Sequence, residues 1–482
     1  MVREQVLRTL GAIKKSNPDS ISLLIAACVP AAENNHWGNG YETNFQRFLA
    51  RKALENHPSD LIDFLDSNAA AAFPSSHLDW AAEALSGPEK DRIFIKSWKE
   101  GKRTLDADTL ASISSRLKNP ELFALLAPEF EKKEFLERAI EAQPHLKSSH
   151  LLKALNIALK KQIASPAPED RALAARAAIL FQSPAIQEEM REIIINLPLA
   201  QVTTQMIDVI AITPKANKNL LLNLANNKNL PQDLQLNAIT KLYVTSPQEA
   251  NQALTELVTS LPPSERDQIV TPLVQTHQGA AMTLALIEQN LIAIQAINTD
   301  AGHRILRNAP VKNKTTTALA KEMTAKQKAL TTAADQRLTE YKKALTTIKG
   351  NPETGKAIFA ACTACHMVNG QGLDIAPALD GSANRDLHHL LTAIVKPDEA
   401  FETGYRLYQV TTKSGPILEG HMYKRDDNGV TIAYMGGAKS FIPTEQIKNQ
   451  GTVGRRSFMP ANFGELPVQT MMDLVNYIQT LQ

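Results

Sequence analysis

The chain carries three cysteines in 482 residues. Two of them, Cys362 and Cys365, stand three positions apart in "AIFAACTACHMVNGQG" (residues 357–372), and His366 follows directly. Two thiols and an imidazole in C-x-x-C-H spacing form the attachment signature of c-type haem. On a helix Cys362 and Cys365 are i and i+3, and His366 is i+4 from the first, so all three project to one side. The two thiols can then add to the two vinyl groups of a haem edge while the imidazole Nε2 reaches the iron. Two rival chemistries fit less well. A structural zinc site needs four ligands, and no second Cys/His pair stands at zinc spacing. A redox-active dithiol is expected after a strand in a βαβ unit, whereas "ETGKAIFAA" before Cys362 reads as helix.

Haem iron takes a second axial ligand or keeps an open position. The downstream candidates are Met367, His388, His389, His421, Met422, Met435, Met459, Met471 and Met472. Met459 stands apart. It lies in "RRSFMPANFG", a loop before the terminal helix, where Pro460 stiffens the backbone and a side chain can be aimed across a cofactor. Met471 and Met472 fall on the terminal helix, as core and surface residues. His388 and His389 open "LHHLLTAIV" and read as a solvated helix face. His421 falls on a strand, where it packs or meets solvent.

These residues need elements to position them. "PETGKAIFAACTACH" reads as a short helix carrying the motif. Residues 404–443 read as strands, with β-branched and aromatic runs separated by "KSG", "DDNG" and "MGGA" turns. Their spacing fits a small four- or five-stranded barrel. "LPVQTMMDLVNYIQTL" is an amphipathic helix with Met471, Leu474, Tyr477, Ile478 and Leu481 inward.

Upstream, from residue 1 to about 310, apolar residues recur at helical spacing. "NLP" occurs at Asn196–Pro198 and again at Asn229–Pro231, 33 residues later. Thr213-Pro214 and Ser246-Pro247 repeat the same step, and proline is tolerated in a helix's first turn. Two helices per 33 residues imply stacked antiparallel pairs, an α-solenoid, and the pattern resembles degenerate HEAT-type repeats. "YETNFQRFLARKALENHPSDLIDFL" (residues 41–65) reads as one such pair. Residues 315–348 read as one long polar-faced helix, and "KGNP" ends it. The expected organisation is a solenoid over 1–314, a connecting helix over 315–350 and a haem domain over 351–482.

Composition sets the outer bounds. Apolar residues make up 43% and charged residues 21%, which marks a globular chain. A net charge of +2 gives no case for nucleic acid. No run of 18 apolar residues occurs, so no membrane-spanning helix is predicted. Three cysteines make no disulfide framework. The first 20 residues lack the apolar core of a secretory signal. "SLLIAACV" looks like a lipoprotein box ending at Cys28, but "NPDS" before it reads better as a helix start, with Cys28 as a buried core residue. Trp37, Trp80 and Trp98 fall in the N-terminal third, in a solenoid core or groove, and "NNHWGNGYE" (residues 34–42) reads as a loop.

Residues 352–482 resemble a cytochrome c domain of the haem-binding type named for Pirellula and Verrucomicrobium. The resemblance rests on "GKAIFAACTACHMVNGQGLDIAPALDG", "ILEGHMYKRDDNGVTIAYMGG" and "SFMPANFGELPVQTMMDLVNYIQTL". It implies one covalently attached haem c in a class I cytochrome c-like fold with a β insertion. Carried over, it implies His366 as proximal ligand, Met459 as distal ligand, and the Pro377 carbonyl as acceptor for the His366 Nδ1–H. It also implies that Gly355 and Phe359 pack against Leu474 and Tyr477. His366 and Met459 are 93 residues apart. The insert over 404–443 accounts for most of that excess over an ordinary small cytochrome.

Proteins with such a domain often place helical repeats before it, and a β-propeller dehydrogenase-like domain before those. Neither a propeller nor an export signal is visible here, which leaves three readings: the C-terminal part of a longer protein, a misplaced start, or a lipoprotein start at Cys28. The resemblance implies a periplasmic or otherwise extracytoplasmic cytochrome. It would carry electrons from a dehydrogenase donor to a downstream acceptor, with the helical repeats as docking scaffold and Lys356, Arg385, Lys396, Arg455 and Arg456 as a basic rim. An enzyme in its own right lacks support, because a second CxxCH, HExxH, GxSxG and a phosphate loop are all missing. The alternative is a helical-repeat binding scaffold whose haem is a redox sensor with a displaceable ligand.

Overall fold

The computed structural model describes every residue except 1, 14–15, 31, 33–39, 102, 144–145, 147–149, 309–311, 401, 403 and 482. The chain divides into two compact units, Met1–Asn196 and Leu197–Gln482. Trp37 and most of the "NNHWGNGYE" loop lie outside the described residues.

Among its described residues the first unit contains helices and no strand. The pair expected from residues 41–65 is present as Tyr41–Leu54 and Pro58–Asp66. Pro18, Pro58, Pro88, Pro120 and Pro168 each stand in the first turn of a helix. The missing N–H is no loss there. Cys28 is fully buried with Ile21, Leu24, Leu54 and Leu61, and burial pushes its thiol up to about 12. Trp98 stacks on Phe94 at 5.8 Å, and Trp80 donates to the Arg47 carbonyl at 2.7 Å.

The second unit opens with helices that follow the proline marks. Pro231 directly precedes Gln232–Tyr243, and Pro247 opens Pro247–Ser260. Pro198 and Pro214 stand a few residues before Thr204–Ile210 and Lys218–Ala225. The long helix spans Lys314–Ala344, close to the expected 315–348, and starts at a capping box made by Asn313 and Thr316. It does more than connect. Its Leu338, Tyr341 and Ala344 share one core with Phe359, Leu390, Leu391, Met471, Leu474 and Val475.

The inserted strands differ from the expectation in two ways. They are β3 (Arg406–Thr412), β4 (Ile417–Asp426), β5 (Gly429–Ala433), β6 (Lys439–Pro443) and β7 (Ile447–Ser457). They form an open antiparallel sheet in the order β6-β5-β4-β3-β7, not a closed barrel. The insert also runs to Ser457, past residue 443. The long β7 is read poorly from sequence because "IKNQGTVGRRS" is polar. It pairs along β3, with Arg406 opposite Ser457. The insert's two ends therefore lie side by side, which is why a sheet can enter here without separating the flanking segments. The sheet is tied to the helices of its own unit. Arg304 and Arg307 both donate to Glu419, at 2.5 and 2.6 Å, and the His277 N–H donates to the Gly415 carbonyl at 3.1 Å.

Candidate functional site

The motif helix spans Pro352–Phe359 and stops before the cysteines. Cys362–Ala364 then form a single 3-10 turn, and Cys365 leaves it at φ −137°. The expected continuous helix is thus replaced by a tighter turn, in which positions three apart eclipse one another. Cys365 and His366 still donate to the Cys362 carbonyl, at 3.1 and 2.9 Å.

The chain then folds back on the motif. A two-stranded hairpin pairs β1 (Met367–Val368) with β2 (Gln371–Gly372). Gly372 has φ +97°, and a Cβ there would lie 2.3 Å from the His366 carbonyl, so only glycine fits. Ile375 N–H donates to the Cys365 carbonyl at 3.2 Å, and Leu379 N–H to the Met367 carbonyl at 2.9 Å. This return places the Pro377 carbonyl 2.6 Å from His366 Nδ1. A carbonyl oxygen can only accept, so Nδ1 carries the proton and Nε2 keeps its lone pair. Burial, against the pull of that hydrogen bond, holds the His366 pKa below the ordinary value, which favours the neutral ring. Burial pushes the Cys362 thiol up to about 11 and raises Cys365 as well.

Two helices back this segment. A Cβ on Gly355 would sit 2.0 Å from the Asp473 carbonyl of the terminal helix Val468–Ile478. Phe359 meets Tyr477 at a centroid distance of 5.1 Å. The contacts implied for Gly355 and Phe359 are therefore present. Met471 and Met472 are both buried, so the surface position expected for Met472 is a core one. It is buried because the Gly350 turn packs on that side of the helix.

Met459 stands two residues after the end of β7. Its N–H donates to Ser457 Oγ at 3.1 Å, the Ser457 N–H to Asp398 Oδ1 at 2.7 Å, and the Phe458 N–H to the Tyr405 carbonyl at 3.0 Å. Cys362, Cys365, His366 and Met459 line one cavity of about 420 Å³ with Leu379, Leu390, Ile394, Phe463, Leu474 and Ile478. Its exposed wall is mainly apolar. His389, Met435, Tyr405 and Phe458 also line it.

Of the other candidates, His389 and Met435 share this cavity, and the rest do not line it. Met435 is 60% exposed at the β5–β6 turn. His421 is buried and stacks on Tyr405 at 5.2 Å. Met422 packs on the sheet core. His388 is exposed, as expected. The basic rim is largely neutralised: Arg385 pairs with Glu402, Lys396 with Asp335 and Glu399, and Arg456 with Asp300. Sequence reasoning missed Tyr405, Phe458 and Phe463. Their only signal was that aromatic residues stand in the loops flanking the insert, two of them within "RRSFMPANFG".

Two thiols, an imidazole with an unprotonated Nε2 and a thioether on the walls of one mainly apolar cavity fit a covalently attached haem. The cytochrome c family model matches residues 352–439, which include Cys362, Cys365 and His366. A cytochrome c domain is therefore present, and the cofactor of that family is covalently bound haem c. No curated protein matches the chain. Among the described residues no helix is long and apolar enough to cross a membrane.

Proposed function

We propose that residues 351–482 hold one haem c, with thioether bonds to Cys362 and Cys365, His366 as proximal ligand and Met459 as distal ligand. The domain passes single electrons between a donor and an acceptor protein. One observation carries this reading: all four side chains line the same apolar cavity. When bound, haem c supplies a one-electron iron couple whose potential is raised by Met/His ligation and burial.

The chain's own residues do the rest. The Pro377 carbonyl fixes the His366 tautomer and ring plane. Desolvation keeps that ring neutral, which is the form that can ligate. Leu379, Leu390, Ile394 and Phe463 exclude water. With His366 and Met459 both engaged, no position is left for a substrate. Electron transfer, and not turnover by this chain, is the function that results. We further infer an extracytoplasmic location and a dehydrogenase as donor, with helical repeats upstream as the docking scaffold. The cytochrome resemblance and the proline-marked helices support that wider reading.

The test is an oxidised and reduced absorption spectrum of protein made in cells that mature c-type cytochromes, beside Met459→Ala. A low-spin, covalently bound haem whose Met–iron charge-transfer band vanishes in the variant is the expected outcome. An unchanged band would assign the ligand to another methionine. Absence of covalent haem would overturn the proposal. Carbon monoxide binding to the native ferrous protein would favour a sensor with a displaceable ligand.

A further inference from the structure

We propose that the long helix Lys314–Ala344 backs the haem pocket from outside: Tyr341 and Arg337 hold the Met459 loop closed, as positioning residues for that ligand. This inference rests on Met459 being the distal ligand.

Tyr341 is fully buried. Its hydroxyl lies 3.0 Å from the Gly464 carbonyl and 2.5 Å from the Leu466 carbonyl. One turn earlier, Arg337 Nη1 donates to the Glu465 carbonyl at 3.2 Å. Positions four apart share a helix face, so two side chains reach three successive carbonyls, with the single hydroxyl proton of Tyr341 shared between two of them. Those carbonyls need donors from outside. They emerge where the 3-10 turn Ala461–Glu465 ends and Pro467, which has no N–H, leads into the terminal helix. Gly464 is buried, so its carbonyl left without a donor is costly, whereas that of exposed Glu465 can turn to water.

The loop is therefore tied at both ends. Asp398 and Tyr405 hold Ser457 and Phe458 at the front. Tyr341 and Arg337 hold residues 464–466 at the back. Between the ties, Gly464 sits so close to Val395 that a Cβ would lie 2.9 Å from the Val395 Cα. The thioether of Met459 hangs from this span. Loosening the back tie raises the population in which the loop has swung away. An outside ligand binds only that population, so its apparent affinity reports how often the loop opens.

The experiment uses the full-length ferric holoprotein and titrates it with imidazole, followed through the Met–iron charge-transfer band. Tyr341→Phe removes the hydroxyl and keeps the ring. About a fivefold fall in the apparent Kd is expected, which corresponds to about 1 kcal/mol for one lost hydrogen bond. Arg337→Gln, at an exposed position, is expected to give about twofold. Leu338→Ala shortens a neighbour in the same core whose aliphatic side chain donates no hydrogen bond; it should lower the melting temperature and leave the imidazole Kd unchanged. A wild-type Kd in Tyr341→Phe overturns the positioning role, as does a Leu338→Ala shift of equal size. If Tyr341→Phe yields no holoprotein, Arg337→Gln decides, and an unchanged Kd there overturns it. A band that survives in Met459→Ala overturns the ligand assignment and this role with it. A band that vanishes there, with unchanged Kd in Tyr341→Phe, overturns the positioning role alone.

Discussion

The segment from Cys362 to Pro377 is held almost wholly by itself, whereas the loop from Ser457 to Leu466 is held by residues far away in the chain. On the first side Cys365, His366, Leu373 and Ile375 donate to carbonyls of Cys362, Thr363 and Cys365, and Asn369 N–H donates to Asp380 at 2.7 Å. These partners lie within about a dozen residues, and one distant tie joins them, from the Gly436 N–H to the Ala364 carbonyl at 3.2 Å. On the second side the donors and acceptors are Tyr341, Arg337, Asp398 and Tyr405. Local bonds close small loops at little entropic cost and form early, while distant ties depend on the whole core being assembled. The cysteine side should therefore behave as a rigid cradle, and the methionine side as an adjustable lid whose hold is set by its neighbours.

The largest expected effect breaks the cradle itself. Gly372→Ala forces a side chain into positive φ and against the His366 carbonyl. A loss of about 3 kcal/mol in unfolding free energy is expected, read from urea denaturation, together with a lower yield of haem-loaded protein. A wild-type midpoint would mean that the hairpin shifts freely and the cradle is not rigid.

A smaller effect sharpens the contrast from the lid side. Asp398→Ala removes the acceptor of the Ser457 N–H. About 2 kcal/mol is expected for a hydrogen bond to a charged group. It should appear as easier displacement of the methionine by imidazole, with covalent haem content unchanged. Reduced covalent attachment instead would show that the two sides are not separable.

The smallest expected effect concerns the tie between sheet and helices. Burial, aided by the nearby Lys448 charge, holds His277 below its ordinary pKa of 6.5, against the Gly415 hydrogen bond. A depressed pKa means that the stabilisation is fully present above about pH 6.5 and fades as pH falls through the lower folded value. The urea midpoint should drop from pH 7.5 to pH 5, and His277→Gln should flatten that slope. Equal slopes would assign the acid sensitivity to other groups.

Legibility in the sequence followed the same division. The CxxCH motif, the long helix from Lys314 and the paired helices at 41–65 were all readable, because each is decided by residues within one or two turns. The strands of the insert were mostly readable too. Their closure was not, since a sheet's curvature depends on which edges meet, and β7 was hidden by its polar residues. Met459 was singled out by its place in a loop, while the groups that hold the loop, Tyr341 and Asp398, carry no local sign of it. Tyr341 reads as one more apolar position on a helix.

By itself the sequence determined the chemistry: two thiols and an imidazole at fixed spacing, with the carbonyl that meets the imidazole implied by resemblance alone. Tertiary structure alone decided the partnership. It set β3 beside β7, so that a segment 93 residues from His366 returns to the same cavity, and it pressed a helix that reads as a connector against that segment's carbonyls. The physical reason is range. Spacing and backbone hydrogen bonds act over a few residues, whereas the burial of apolar faces joins elements without regard to their distance along the chain.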